Sequence, residues 1–126
     1  MENSKVLVVD DEPSIVVSLE YLLGQAGYEV HTATDGQQAL DAVNALRPQL
    51  VLLDVMMPVM NGFEVCRRIR DDPALAGTRI LMLTAKGRDV EVGQGLSLGA
   101  DAYITKPFAT RELMAAVARL MQPSSP

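Results

Sequence analysis

Cysteine and histidine each occur once in this 126-residue chain, and basic residues are outnumbered by acidic ones, 11 to 16. A lone Cys66 excludes an intrachain disulfide and fits a reducing, cytoplasmic compartment. A lone His31 leaves no second histidine for a His-based metal site or relay. The net charge of −5 argues against a nucleic-acid groove or an anionic membrane patch, both of which need concentrated positive charge. No stretch approaches the roughly 20 apolar residues of a membrane helix. The polar start, Met1-Glu2-Asn3-Ser4-Lys5, lacks the apolar run of a signal peptide. There is no internal repeat and no low-complexity segment.

What is present fits one globular domain. Apolar residues make up 48% and charged residues 21%. A chain of about 100–150 residues can bury an ordinary hydrophobic core. The folded unit is expected over residues 1–121, with 122–126 a tail or the start of a linker.

Apolar runs alternate with helical patterns five times. Lys5 to Val9, Leu50 to Leu53 and Ile80 to Leu83 are continuous apolar runs, the mark of strands buried on both faces. Tyr28 to Ala33 alternates, with Tyr28, Val30 and Thr32 on one side, which suits an edge strand. Ala102 to Ile104 is a short fifth strand. Between them lie helical stripes. Pro13 opens the first, Asp35 with Gln38 caps the second, and Asn61 with Glu64 caps the third. A fourth, about Arg88 to Leu98, is weakened by Gly93 and Gly95. The fifth carries Leu113, Val117 and Leu120, with Thr110 expected to replace Ala109 as its cap. Five βα units imply a doubly wound parallel sheet of flavodoxin-like order 2-1-3-4-5.

Ligands in such sheets bind beyond the carboxyl ends of the strands. The polar residues there are Asp10, Asp11, Asp54, Thr84 and Lys106. Clustered carboxylates repel one another, and a hard divalent cation relieves that repulsion. Mg²⁺ fits best, because it takes a few carboxylates and keeps water for a phosphate-bearing ligand. Mn²⁺ is an acceptable substitute. Simple helix capping accounts for one acid after the first strand, not for Asp54 or Lys106.

The chain resembles the receiver domains of two-component response regulators, the CheY-like superfamily. The resemblance is carried by Asp10-Asp11, Asp54 within Leu52-Leu53-Asp54-Val55-Met56-Met57-Pro58, Gly62, Thr84-Ala85 and Lys106-Pro107-Phe108. It spans about Lys5 to Met121. It implies that Asp54 accepts a phosphoryl group from a sensor histidine kinase or a histidine phosphotransfer protein. Asp10, Asp11, Asp54 and the backbone carbonyl of Met56 would hold Mg²⁺. Thr84 and Lys106 would contact the phosphoryl group, and Tyr103 would be the switch aromatic. Lys106-Pro107 would be cis. Met56 and Lys86 flank the site, and Lys86 is expected to contact the phosphoryl group or screen it from water.

The resemblance further implies a switch rather than an enzyme. The face of the fourth helix, fifth strand and fifth helix would control an output domain or protein partner, and would form a homodimer on phosphorylation. Three rivals stand beside this reading. A haloacid-dehalogenase-like phosphohydrolase would want Asp-x-Asp after its first strand and a longer chain. A flavodoxin would want a phosphate loop where Asp10-Asp11-Glu12 stands. A pseudo-receiver would lack one of the site residues. The arginines Arg67, Arg68 and Arg70 are expected to be a solvated face, and Cys66 to face the core.

Overall fold

The computed structural model describes residues 4–85 and 98–122. Lys86 and the stripe from Arg88 through residue 97 lie outside that range, as do residues 123–126 of the tail.

Five strands form one parallel sheet: β1 (Lys5–Val9), β2 (Glu29–Ala33), β3 (Leu50–Asp54), β4 (Arg79–Ala85) and β5 (Ala102–Lys106). Their order is β2-β1-β3-β4-β5, as the pattern predicts. The described helices are α1 (Pro13–Gln25), α2 (Gly36–Leu46), α3 (Gly62–Arg70) and a C-terminal helix (Thr110–Met121).

Strand alternation divides the core in two. Leu7, Val9, Val51, Leu53, Ile80 and Met82 point to one side and meet Ala39, Val43, Val65, Cys66 and Ile69 of α2 and α3. Val6, Val8, Leu50, Leu52, Leu81 and Leu83 point to the other and meet α1 and the C-terminal helix through Leu19, Leu23, Leu113 and Val117. The three central strands are apolar over 6–9, 50–53 and 80–83 because both of their faces are covered there.

Helix ends follow the predicted chemistry at α2 and α3. Asp35 accepts from the Gln38 amide at 2.8 Å, and Asn61 from the Glu64 amide at 3.1 Å. Gly27, at φ 97°, takes the left-handed turn after α1 that other residues avoid.

Several expectations need correction. The C-terminal helix starts at Thr110 with Ala109 as its N-cap and no side-chain cap bond, so Thr110 does not take over the cap. Glu112 in the first turn offsets this by facing the positive end of the helix dipole. Thr32, expected on the same side as Val30, is exposed on this edge strand. Asp71 to Thr78, which Pro73 and Gly77 mark as a loop, holds a 3₁₀ turn, Pro73–Leu75, that buries Leu75 against the core. The three arginines of α3 also divide. Arg67 and Arg68 pair with Glu64 at the surface. Arg70 turns inward, donating to the Gly99 carbonyl and to Asp101, each at 2.8 Å. Asp101 in turn accepts from the Ile80 amide at 2.7 Å, so one ion pair ties α3 to the start of β4 and the approach to β5.

Gly62 sets how closely α3 approaches the end of β3. Its amide donates to the Val55 carbonyl at 2.9 Å. A Cβ there would meet the Val55 Cα at 2.9 Å and the Asp54 carbonyl oxygen closer still, and neither backbone atom can move aside alone. Gly24 sits within α1 with nothing within 4 Å of a built Cβ. Urea unfolding should therefore separate the two glycines. Gly62→Ala is expected to lose about 1–3 kcal/mol by overpacking, whereas Gly24→Ala gains up to about 1 kcal/mol from helix propensity. Equal effects would mean that the α3 approach is not tight.

Candidate functional site

The sheet register brings the predicted residues to one edge. Val9, the last residue of β1, pairs with Leu53, so Asp10 and Asp54 leave adjacent strands at the same level. Asp54 itself pairs with Leu83, which places Thr84 one residue further along the neighbouring strand. Thr84 pairs with Thr105 and Ala85 with Lys106. Parallel strands of similar length, ended by polar residues, build the site from four chain segments.

Asp10 is fully buried, and Asp54 and Thr84 nearly so. Asp11 is exposed at the rim. One carboxylate oxygen from each of Asp10, Asp11 and Asp54 lies within 4.8 Å of the others. Lys106 faces them. Its Nζ lies 2.7 Å from Asp10 and 3.3 Å from Asp54. A third contact, 3.3 Å to Glu12, was not predicted. The sequence places Glu12 among the acids after β1, but nothing in the spacing shows that its side chain turns back toward a lysine 94 residues away.

Asp10 holds two partners at once. Its Oδ1 accepts from the Glu12 amide at 3.0 Å and its Oδ2 from Lys106. Asp54 Oδ1 accepts from Lys106 and, at 3.4 Å, from the Met56 amide.

Burial raises the Asp54 carboxyl to about 6, and the neighbouring Asp10 charge pushes the same way. Lys106 and the Met56 amide oppose the rise without cancelling it. Burial draws Lys106 downward, but its bonds to Asp10 and Asp54 outweigh this and hold it above the ordinary lysine value. The site thus carries negative charge that one ammonium does not neutralise. Three clustered carboxylates with residual repulsion are a donor set that suits a small, hard divalent cation.

Around this centre, Met56 is half exposed beside Asp54, and Met57 is buried. Val59, four residues past Val55, is fully exposed at φ 69°. Tyr103 is about half exposed on β5, opposite Met82. The Lys106–Pro107 peptide is cis, as expected. Cys66 faces the core, where burial raises its thiol above the ordinary value. No helix among the described residues is long and apolar enough to cross a membrane.

Comparison with known proteins agrees with this geometry. Residues 6–118 match the model of the response regulator receiver domain. The chain belongs to that family. It is 48% identical over 122 residues to the alkaline phosphatase synthesis transcriptional regulatory protein PhoP of Bacillus subtilis, covering 97% of this chain and 50% of that protein. It is 51% identical over 113 residues to the DNA-binding response regulator MtrA of Mycolicibacterium smegmatis, covering 90% and 48%. The receiver therefore spans about half the length of these curated relatives. Among solved structures, chemotaxis protein CheY4 of Vibrio cholerae superposes with a TM-score of 0.87 at 38% identity, covering 93% of this chain and 98% of that one. The receiver domain of Francisella response regulator 1452 does so at 0.86 and 31%, covering 94% and 97%.

The charge balance makes a signed prediction for the metal-free receiver. A carboxyl whose folded value is raised favours the fold below its unfolded value of 3.8, and that contribution is lost as pH rises through about 6. In EDTA, Asp54→Asn should unfold a few degrees higher than wild type at pH 8, with the gain shrinking toward pH 5. Added Mg²⁺ should stabilise wild type more than the variant, by mass action on the folded state. A gain that grows on acidification would contradict the assigned charge balance.

Proposed function

We propose that this receiver takes a phosphoryl group from a phosphohistidine onto Asp54, in a Mg²⁺-dependent reaction, and relays the event to an output domain or protein partner. The observation that carries this reading is the ammonium of Lys106 bridging Asp10 and Asp54 beside the acidic cluster. That arrangement is suited to an anionic group arriving at Asp54.

A carboxylate has no proton to lose, so Asp54 needs no base. One of its oxygens attacks phosphorus while the phosphorus–nitrogen bond of the donor breaks. The leaving imidazole nitrogen keeps the electron pair and takes a proton from water. An acyl phosphate results, and attack of water on its phosphorus returns the carboxylate and inorganic phosphate. Such transfers depend mainly on positioning and on neutralising the charge spread over the phosphoryl oxygens. Mg²⁺, held by Asp10, Asp11, Asp54 and the Met56 carbonyl, would supply much of that neutralisation. Lys106 would exchange its Asp54 contact for a phosphoryl oxygen. The Thr84 hydroxyl, one residue beyond the partner of Asp54 in the register, would donate to another.

Drawing Thr84 toward the phosphoryl group would leave space behind it. Tyr103, half exposed on the neighbouring strand, is the aromatic available to turn into that space. The face formed by the fourth predicted helix, β5 and the C-terminal helix would then change, and this is the surface we assign to the output and to phosphorylation-dependent pairing of two copies. The domain would work as a switch with slow self-hydrolysis, not as an enzyme of sustained turnover, in the cytoplasm where sensor kinases present their phosphohistidines. Residues 1–121 would make this unit. Its −5 charge argues against its touching nucleic acid directly. The DNA binding named for MtrA would belong to the part of that protein this chain does not match.

Acetyl phosphate with Mg²⁺ tests this directly. The expected product carries one phosphoryl group per chain, stable to acid and labile to base, and absent in Asp54→Asn or in EDTA. Multiple sustained turnovers would favour a phosphohydrolase instead. No incorporation despite Mg²⁺ binding would leave a pseudo-receiver.

A further inference from the structure

Lys106 has one partner more than this chemistry uses. An ammonium has three donors. Three carboxylates take them: Asp10 at 2.7 Å, Asp54 at 3.3 Å and Glu12 at 3.3 Å. Asp10 and Asp54 are buried, whereas the Glu12 side chain is 60% exposed, so Glu12 marks the mouth of the site. Its role in the helix does not explain its placement. Glu12 is the N-cap of α1, yet its side chain makes no cap bond. Its backbone is held instead by Asp10 Oδ1 at 3.0 Å, through the same carboxylate that grips Lys106.

We propose that Glu12 is a positioning residue for phosphoryl transfer, holding the Lys106 ammonium outward at the mouth of the site instead of letting it settle onto Asp54. This rests on the reading of Asp54 as phosphoacceptor. The distances carry the argument. Ionic N–H···O contacts usually close to about 2.7–2.9 Å. Lys106 reaches that range on Asp10 but stops at 3.3 Å from Asp54, the distance at which it also meets Glu12. Glu12 thus balances the pull of Asp54. Without it, the ammonium drops between two buried carboxylates. There it grips Asp54 Oδ1 more closely than the present 3.3 Å and competes with a cation for both acids. With it, the ammonium stands where a phosphoryl oxygen arrives.

The direction of the effect separates positioning from simple repulsion. A negative charge at the mouth repels an anionic donor, so deleting a mere repeller speeds transfer. Deleting a positioner slows it. Length separates them again: Glu12→Asp keeps the charge but is one methylene too short to reach Lys106.

The experiment compares wild type, Glu12→Ala and Glu12→Asp in the full chain, with acetyl phosphate at saturating Mg²⁺. Both variants should incorporate phosphoryl groups about three- to tenfold more slowly, the scale of a modest misplacement. Calorimetric titration should show Mg²⁺ binding weakened by a similar factor in both. In a Lys106→Met background, neither substitution should change the residual rate, because the effect runs through the lysine. Faster transfer in Glu12→Ala with no change in Glu12→Asp would overturn the proposal in favour of repulsion. Rates and Mg²⁺ affinities unchanged in both variants would make Glu12 a bystander. If wild type itself takes no phosphoryl group, the acceptor reading fails. The Mg²⁺ titrations still decide Glu12 in that case: equal weakening in both variants supports its hold on Lys106, and any other pattern overturns it.

Discussion

Like charges gathered beside one ammonium are the constraint on which the rest of this molecule depends. Asp10 is completely buried and Asp54 nearly so, and the pull of Lys106 on Asp54 does not cancel the cost of burying that carboxylate beside Asp10. Folding tolerates the arrangement because the surrounding sheet is apolar on both faces and leaves the strand ends no freedom to separate. A parallel sheet with covered faces is a rigid platform. Here it is used to hold carboxylates closer together than they would stay in water.

Platform and site are joined by few points. Gly62 lets the start of α3 lie against the Asp54–Val55 backbone, so the loop that leaves Asp54 is closed by the helix that follows. At the opposite end of α3, Arg70 clamps the Gly99 carbonyl and Asp101, and Asp101 holds the Ile80 amide. One short helix is thereby fixed at both ends: to β3 beside the site, and to β4 and β5 at the far edge of the sheet.

Most of this was legible in the residues. Continuous apolar runs at 6–9, 50–53 and 80–83, alternating with helical stripes, read as central strands whose polar ends share one edge. What escaped were contacts made by long side chains over large sequence separations. Arg70 reads as one of three surface arginines, and only the fold shows that Gly99 and Asp101 lie within its reach. Glu12 reads as a helix-terminal acid until Lys106 is seen beside it. Thr110 looked like a cap because hydroxyls favour that position, yet the chain enters the helix one residue earlier, with Ala109 extended and uncapped. Local propensity predicts what a residue prefers alone. It is silent on what a flexible side chain finds across the sheet.

The acidic composition takes its meaning from the same geometry. A net charge of −5 spread evenly would concern solubility alone. Three of the acids, Asp10, Glu12 and Asp54, instead meet one lysine, and Asp11 lies beside Asp10 and Asp54. Proton, ammonium and divalent cation are alternative ways of neutralising that cluster, and each leaves Asp54 in a different state. A protonated Asp54 cannot attack, and one pressed by an ammonium attacks poorly. In the transfer proposed above, an ionised Asp54 with the ammonium at 3.3 Å, not closed tightly onto its oxygen, is the state suited to reaction. Three separate carboxylates around Lys106, one of them at the exposed rim, are how this fold can hold that state without closing the site.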